Sequence, residues 1–391
     1  MERLVLHSDM DRFYCAVEEK HNPSLKMIPF AVCGDPAMRH SIVMSASSLA
    51  RQYGVRAGLR FADARILCPE LKYITADMSK YLVEAKAARE VYLKYSARII
   101  PYGMDESWIL LDEGVTWHEA RQIAELIRLE IMYGMELSTS IGVSYNLIFS
   151  KIGSDYQKPN GITVITNDDY KDIIWPLDAE KLLFVGAVRK RMLTGHGIRT
   201  IGDIAKADPV FLTQILRSKV GHDLVQFANG NDKNFKPESD KIGSIGNTIT
   251  PPADLQTDDE VSAVLYMLAS AVCSRLQKHA MKAKCISISL RDNQFNKTNR
   301  QCTLEHSTDS VNRIFKRAYD LFKTHYKWKI PLRSIGIRTT NFDSSTQLSL
   351  CDDMDCDIID ANISRHVKRL TERFGSLKVE NAFGFHNEER W

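Results

Sequence analysis

Two short acidic phrases carry side chains suited to phosphoryl transfer. The first, Ser8-Asp9-Met10-Asp11-Arg12-Phe13-Tyr14, follows the apolar run Leu4-Val5-Leu6. The second, Gly103-Met104-Asp105-Glu106-Ser107, lies much later, between Ile99-Ile100 with Tyr102 and the run Trp108-Ile109-Leu110-Leu111. Short apolar runs bounded by turn residues read as strands. Asp9 at the end of one strand and Asp105-Glu106 in the turn of a hairpin meet at one point if those strands are sheet neighbours. Converging carboxylates repel one another and call for a compensating charge, which oxygen-ligated divalent cations such as Mg²⁺ supply. Two such ions about 4 Å apart hold the attacking and leaving oxygens of an in-line displacement. Taken singly, an Asp-Glu pair in a hairpin is more often a solvated turn, and an Asp closing a strand is ordinary turn chemistry. The two phrases together, with Phe13-Tyr14 after the first, point to a nucleotidyl transferase.

The elements that must position these groups can be read from hydrophobic period. Over about residues 1–165 the pattern predicts strands at 3–8, 29–33, 41–46, 98–103, 107–112 and 138–143. It predicts helices at 11–20, 46–54, 78–96 and 117–133. Helices on a mainly antiparallel sheet make an α+β layer. A helical segment follows over about 166–231, opened by Asp178-Ala179-Glu180-Lys181. Within it, residues 182–193 have the form of a helix-hairpin-helix, whose tight turn presents backbone N–H groups to a DNA phosphate. Only Gly186 of the usual two turn glycines is present, with Val188 at the other place, and a plain helical turn fits these residues nearly as well. The polar stretch 229–240 reads as a linker. Beyond it, strands at 244–250, 284–291, 300–306 and 332–340 with helices at 258–280 and 308–326 form a small second α+β domain. A last helix is predicted from Ile358 to Phe374, stopping at Gly375.

Length and composition set the frame. A chain of 391 residues implies two to four domains. With 44% hydrophobic and 26% charged residues it has a soluble globular composition, and no apolar run approaches the roughly 20 residues of a membrane span. Met1-Glu2-Arg3 leads straight into a strand without a signal-peptide pattern. The eight cysteines include no CxxC pair and read as reduced thiols of a cytoplasmic protein. The net charge of +3 is unevenly spread, since residues 241–345 hold 16 Lys and Arg against 9 Asp and Glu. Such a basic segment suits a polyanionic partner, although a solvated helix surface with spare lysines has the same signature.

Five ordered motifs resemble the Y-family translesion DNA polymerases of the bacterial DinB and UmuC type. They are Asp9 to Tyr14; Ser45 to Arg51 with Gly54-Val55-Arg56-Ala57-Gly58; Asp105-Glu106; Ile141 to Asn146; and Lys158-Pro159-Asn160-Gly161. The likeness covers about residues 1–345. It implies a multidomain α+β right hand: a palm from 1–11 and 76–165, small fingers from 12–75, a helical thumb from 166–231, a linker at 232–243 and a little finger at 244–345. It implies Asp9, Asp105 and Glu106 as catalytic metal ligands, with the Met10 carbonyl as a further one, holding two Mg²⁺ ions or Mn²⁺ in their place. The substrates implied are dNTP and primer-template DNA, joined with low fidelity and with lesion bypass in DNA-damage tolerance. The family further implies a cytoplasmic, nucleoid-associated bacterial enzyme working as a monomer.

The same resemblance assigns Arg51 and Lys158 as cations for the triphosphate and Ser45 as a hydroxyl donor. Read without it, Arg51 is a helix-surface residue and Lys158 flanks a turn. Tyr14 matches the aromatic ring placed beneath the deoxyribose, where it would exclude a 2′-hydroxyl, with Phe13 beside it. Neighbouring aromatics on a helix point about 100° apart, so one can be core and the other free. Gly186 in the thumb, and Arg333 and Arg338 on one face of the last strand, are the expected DNA-backbone contacts, the arginines being otherwise ordinary surface residues. Ser48 stands where many relatives have a triphosphate-contacting Tyr, and Ile42 and Met44 stand where some have small residues roofing the nascent base pair. Gln347-Leu348-Ser349-Leu350-Cys351 resembles the peptide with which bacterial polymerases dock on a sliding clamp, with Cys351 in place of the usual Phe. A catalytically silent relative acting as a DNA- or clamp-binding module is the alternative reading, and the intact acidic trio argues against it.

Overall fold

The computed structural model describes residues 3–34, 41–237 and 242–343. The clamp-like peptide Gln347, Leu348 and Leu350 and the helix expected from Ile358 lie outside these residues. The chain divides near residue 239 into two compact units.

The first unit begins β1 (Val5–Met10), α1 (Phe13–His21), β2 (Phe30–Cys33), β3 (Val43–Ala46), α2 (Ser48–Gln52), α3 (Phe61–Leu67) and β4 (Lys72–Thr75). It continues α4 (Met78–Leu93), β5 (Ile99–Pro101), β6 (Glu106–Leu110), α5 (Trp117–Gly134), β7 (Thr139–Ser144), α6 (Leu147–Tyr156) and β8 (Ile162–Ile165). A five-stranded sheet in the order β5-β6-β1-β7-β8 puts β1 at its centre. Period two sorts the side chains of β1. Leu6 and Met10 face α4 and α5 in the main core, and Val5 packs on the opposite face with Ile100 and Trp108.

Helix α5 forms where the sequence asks for it. Thr116 and Glu119 make a reciprocal capping box at its start, and Ala120, Ala124, Ile127 and Ile131 fall on one buried stripe. Burying the two isoleucines contributes about 2 kcal/mol each. A separate three-stranded sheet, β3-β2-β4, carries α2 and α3 around its own small core.

Five short helices follow: α7 (Tyr170–Ile174), α8 (Ala187–Thr194), α9 (Ile201–Lys206), α10 (Pro209–Leu216) and α11 (Val220–Ala228). Asp178 caps only a single 3₁₀ turn, Ala179–Lys181, so the expected opening helix is absent there, and Gly186 is the N-cap of α8.

The second unit runs β9 (Ile245–Ile249), α12 (Asp258–Lys278), β10 (Lys282–Asp292), β11 (Lys297–Thr308), α13 (Val311–His325) and β12 (Leu332–Asp343). Its antiparallel sheet has the order β11-β10-β12-β9. The two helices share one core with Ile286, Ile288, Leu290, Ile335 and Ile337, which leaves the alternate residues on the other face.

The α+β class is as expected, but α3, β4, α6 and β8 are additions to the sequence reading. Simple alternation does not put Arg333 and Arg338 on one face. Five residues apart, they would point to opposite faces of a regular strand. Between Asp292↔Leu332 and Arg291↔Ser334 the register slips, leaving Arg333 as the extra residue of a bulge.

Candidate active site

The central strand brings the acidic phrases together. Asp9 lies opposite Glu106 in the β1–β6 register, and the Met10 N–H donates to the Asp105 carbonyl at 2.9 Å. Gly103, at φ 88°, turns the β5–β6 hairpin, and the Tyr102 N–H donates to the Glu106 carbonyl across it. Asp9 is 7% exposed, whereas Asp105 and Glu106 are partly exposed. Met10 buries its side chain in the core, so only its backbone carbonyl is available as a ligand.

Helix α6 supplies the counter-charges. It packs on β7 because neither element carries a side chain at the contact: a Cβ on Gly142 would fall 1.9 Å from the Ser150 carbonyl oxygen, and one on Gly153 3.0 Å from Gly142 Cα. That approach lets Ser154 Oγ hydrogen-bond His7 Nδ1 at 2.8 Å and brings Lys151 onto Glu106. Past the helix end, Lys158 Nζ pairs with Asp9 Oδ1 at 2.7 Å and Asp155 Oδ1 at 2.8 Å.

These surroundings separate the carboxylates. Burial pushes Asp9 up to about 7, with Lys158 opposing the rise and Glu106 adding to it. Burial also raises Asp105, and the Glu106 charge adds to the shift. Burial alone would raise Glu106, but the His7 ring and the Lys151 ammonium outweigh it and hold it at about 2. His7 is lowered to about 4 by complete burial and is therefore neutral. Its Nε2 lies 3.4 Å from Glu106 Oε2, a long polar contact through which the neutral ring favours the ionised carboxylate.

The chemistry of these oxygen donors suits a divalent cation. Two carboxylates raised by burial and a third already ionised are a set whose mutual repulsion a hard cation relieves. Among the described residues no group of three or more His, Cys, Asp or Glu is gathered in metal-holding geometry. Lys158 and Lys151 supply the neutralising charge that a metal would take over.

The other expected residues fall into two groups. Phe13 is 2% exposed in the core, while Tyr14 is half-buried with its ring 5.5 Å from Phe13 and 4.9 Å from Tyr81. Burial and the Asp105 charge raise the Tyr14 phenol. Ser45 is buried on β3 with its hydroxyl against the Cys15 thiol, and Arg51 Nε donates to the Ala46 carbonyl at 3.1 Å. Neither touches the carboxylates among the described residues. Ile42 is exposed and Met44 half-buried, while Ser48 is exposed at the start of α2, where Ser47 is the N-cap.

Asp11, the second carboxylate of the first acidic phrase, has a task that its place in the sequence does not announce. Its Oδ1 accepts from Ser140 Oγ and its Oδ2 from the Asn160 N–H, each at 2.9 Å. It thereby ties the Lys158-Pro159-Asn160-Gly161 turn to the end of β1. Lys151 and Asp155 also escape the sequence reading, although Lys151, Asp155 and Lys158 follow a spacing of four and three that places them on one side of a helix and its extension.

A profile of the impB/mucB/samB family matches residues 8–155, and a profile of that family's C-terminal domain matches residues 243–350. A protein named DNA polymerase IV from Acetivibrio thermocellus is 36% identical over 98% of this chain and 97% of its own length. Another of the same name from Bacillus velezensis is 30% identical over 99% of this chain and 94% of its own length. The chain belongs to the Y family of DNA polymerases. A solved Y-family DNA polymerase chimera of Dbh and Dpo4 shares the fold with a TM-score of 0.78 at 24% identity, over 88% of this chain and all of that one. Y-family enzymes depend on divalent metal, in keeping with the oxygen donors of Asp9, Asp105 and Glu106. Among the described residues no helix of this Y-family chain is long and apolar enough to cross a membrane.

Proposed function

We propose that this chain is a template-directed DNA polymerase that joins dNTPs to a primer 3′-hydroxyl at Asp9, Asp105 and Glu106, with low fidelity and with lesion bypass. The observation that carries the proposal is the Asp9↔Glu106 register pair beside the Met10-to-Asp105 backbone bond, which fastens three carboxylates from two distant segments to one strand end. With the Met10 carbonyl they would hold two Mg²⁺ ions, or Mn²⁺ in their place. Bound there, such ions neutralise the triphosphate and acidify the attacking hydroxyl.

The remaining work falls to the chain's own groups. Lys158, held protonated by Asp9 and Asp155, is released to the triphosphate when Asp9 gains another cation, and Asp11 fixes the turn that aims it. Arg51 is a second triphosphate cation. Ser45, shut in against Cys15, belongs to the packing of β3. Tyr14, its ring edge-on to those of Phe13 and Tyr81, stands where a 2′-hydroxyl would meet it and so selects deoxyribose. We assign the palm to 1–11 and 76–165, the fingers to 12–75, the thumb to 166–231 and the little finger to 244–345. In the thumb, the backbone at Gly186 is open, with nothing within 4 Å of where a Cβ would stand, which suits a phosphate contact. Arg333 and Arg338 contact the duplex backbone from the second unit.

Gln347, Leu348 and Leu350 are the anchors of a peptide for a sliding clamp. The enzyme acts as a monomer at the nucleoid, in the cytoplasm. Primer extension by the purified chain on undamaged and abasic templates with Mg²⁺ tests the reading. Extension by wild type and none by Asp105→Ala is expected; equal extension by both, or none by either, overturns it.

A further inference from the structure

His7 is a fully buried polar side chain of the central strand to which the proposed reaction gives no task. It stands between Trp108 on β6 and Gly142 on β7, on the side that α6 covers. The Trp108 ring meets it edge-on at 5.0 Å and is itself anchored by its Nε1, which donates to the Leu147 carbonyl at 2.9 Å. On one side the His7 Nδ1 lies 2.8 Å from Ser154 Oγ. On the other its Nε2 faces Glu106 Oε2 at 3.4 Å, with no other partner among the described residues. A buried ring nitrogen aimed at one carboxylate oxygen calls for an explanation.

Ser154 decides what that nitrogen carries. Its hydroxyl has one proton and two acceptors in reach, His7 Nδ1 and the Lys151 carbonyl, each at 2.8 Å. The carbonyl lies inside α6, where the helix ladder already serves it. Given to the carbonyl, the proton would leave His7 Nε2 as a bare lone pair against an ionised carboxylate. Given to Nδ1, it puts the ring's own proton on Nε2, pointing at Glu106. Only the second arrangement is attractive at both ends of the ring.

Glu106 is addressed through one oxygen. Lys151 Nζ and His7 Nε2 converge on Oε2, and among the described residues no hydrogen bond or ion pair falls on Oε1. The two partners differ in kind. Lys151 carries its charge on a flexible four-carbon stem that can turn to another anion, whereas the His7 ring is fixed by its surroundings.

We propose that His7, set by Ser154 with its proton on Nε2, is a positioning residue for Glu106. It holds Oε2 from inside the fold, so that Oε1 stays turned to the divalent cation when Lys151 gives way. Hydrogen-bond partners of this kind orient metal-ligating carboxylates. The cation rests on the polymerase reading above, whereas the Ser154–His7–Glu106 alignment rests on these side chains alone.

The test has two arms, both on the full chain. Long-range proton–nitrogen correlation NMR of the metal-free chain, with the His7 signals assigned by their loss in His7→Gln, should show a protonated Nε2. An unprotonated Nε2 overturns the proposal. In the second arm Mn²⁺ alone is titrated and the free ion read by electron paramagnetic resonance. His7→Phe, which keeps a ring against Trp108 but loses the donor, should weaken Mn²⁺ binding about 10-fold. His7→Gln, whose amide nitrogen can donate from nearly the same place, should recover most of that loss, and Ser154→Ala should fall between. Affinity for a primer-template duplex, read by fluorescence anisotropy, should match wild type in all three. Should His7→Phe fail to fold, Ser154→Ala carries the comparison. Mn²⁺ binding that stays at the wild-type level without the donor overturns the proposal, and a loss that His7→Gln does not recover assigns the ring to packing alone. A wild-type chain with a protonated Nε2 that binds no Mn²⁺ would sink the metal reading and leave the alignment standing.

Discussion

The two sheets treat charge in opposite ways. In the first unit three carboxylates are crowded at the end of β1, and the fold answers with its own cations, Lys158 on Asp9 and Lys151 on Glu106. In the second, Arg291, Lys297 and Arg333 are crowded at one end of an open sheet face, and among the described residues no carboxylate meets the two guanidinium groups. An internally neutralised cluster holds its shape without a ligand and exchanges one cation for another. An unanswered cluster is destabilising by itself and stabilised by what it binds. The acidic region therefore suits small, exchangeable cations, and the basic one suits a polyanion.

Removing members from each region sharpens this contrast. The largest effect is expected from Asp105→Ala, which should lower the nucleotide-addition rate by about 10³-fold or more in single-turnover extension, with DNA affinity hardly changed. Tyr14→Ala should raise incorporation of ribonucleotides relative to deoxyribonucleotides by roughly 10- to 100-fold, the range that steric selection by one side chain supports, read in competition assays. Lys158→Ala should raise KM for dNTP by about 10-fold, the effect of removing a charged hydrogen bond, with the salt slope for DNA unmoved.

Asp11→Ala, which frees the turn but leaves Lys158 present, should raise the same KM by roughly threefold. A larger effect on kcat than on KM would show that Asp11 acts on the carboxylates instead. Gly142→Ala tests the scaffold, because its Cβ has no room beside Ser150. It should cost about 3 kcal/mol in denaturant unfolding, the upper part of the overpacking range, while Gly186→Ala, in open space, should leave stability within about 1 kcal/mol.

Much of the acidic region is legible in the sequence because it is local in character. Asp9 ends a strand and Asp105-Glu106 turn a hairpin, and both follow from short apolar runs and a Gly at positive φ. Tyr14 and Phe13 likewise separate into a half-buried and a core ring simply through their angular offset on α1. What escapes is set by contacts between distant segments. Helix α6 is short and buried against both the sheet and the short helices that follow, so its apolar residues give no clean stripe, and the Gly142–Gly153 contact that seats it joins two elements. The Lys151–Glu106 pair spans 45 residues and has no signature in spacing. In the second unit the elements are legible almost throughout, yet the aspect of Arg333 depends on a one-residue bulge that no hydrophobic pattern encodes.

The central claim is that the trio at the end of β1 is a divalent-metal site whose resident lysines give way. Anomalous scattering from crystals of the full chain with Mn²⁺, primer-template DNA and a non-hydrolysable dNTP measures it directly. Manganese peaks coordinated by Asp9, Asp105 and Glu106, with Lys158 withdrawn from Asp9 onto the triphosphate, are the predicted result. Manganese bound elsewhere, with Asp9 and Glu106 still paired to Lys158 and Lys151, would contradict it.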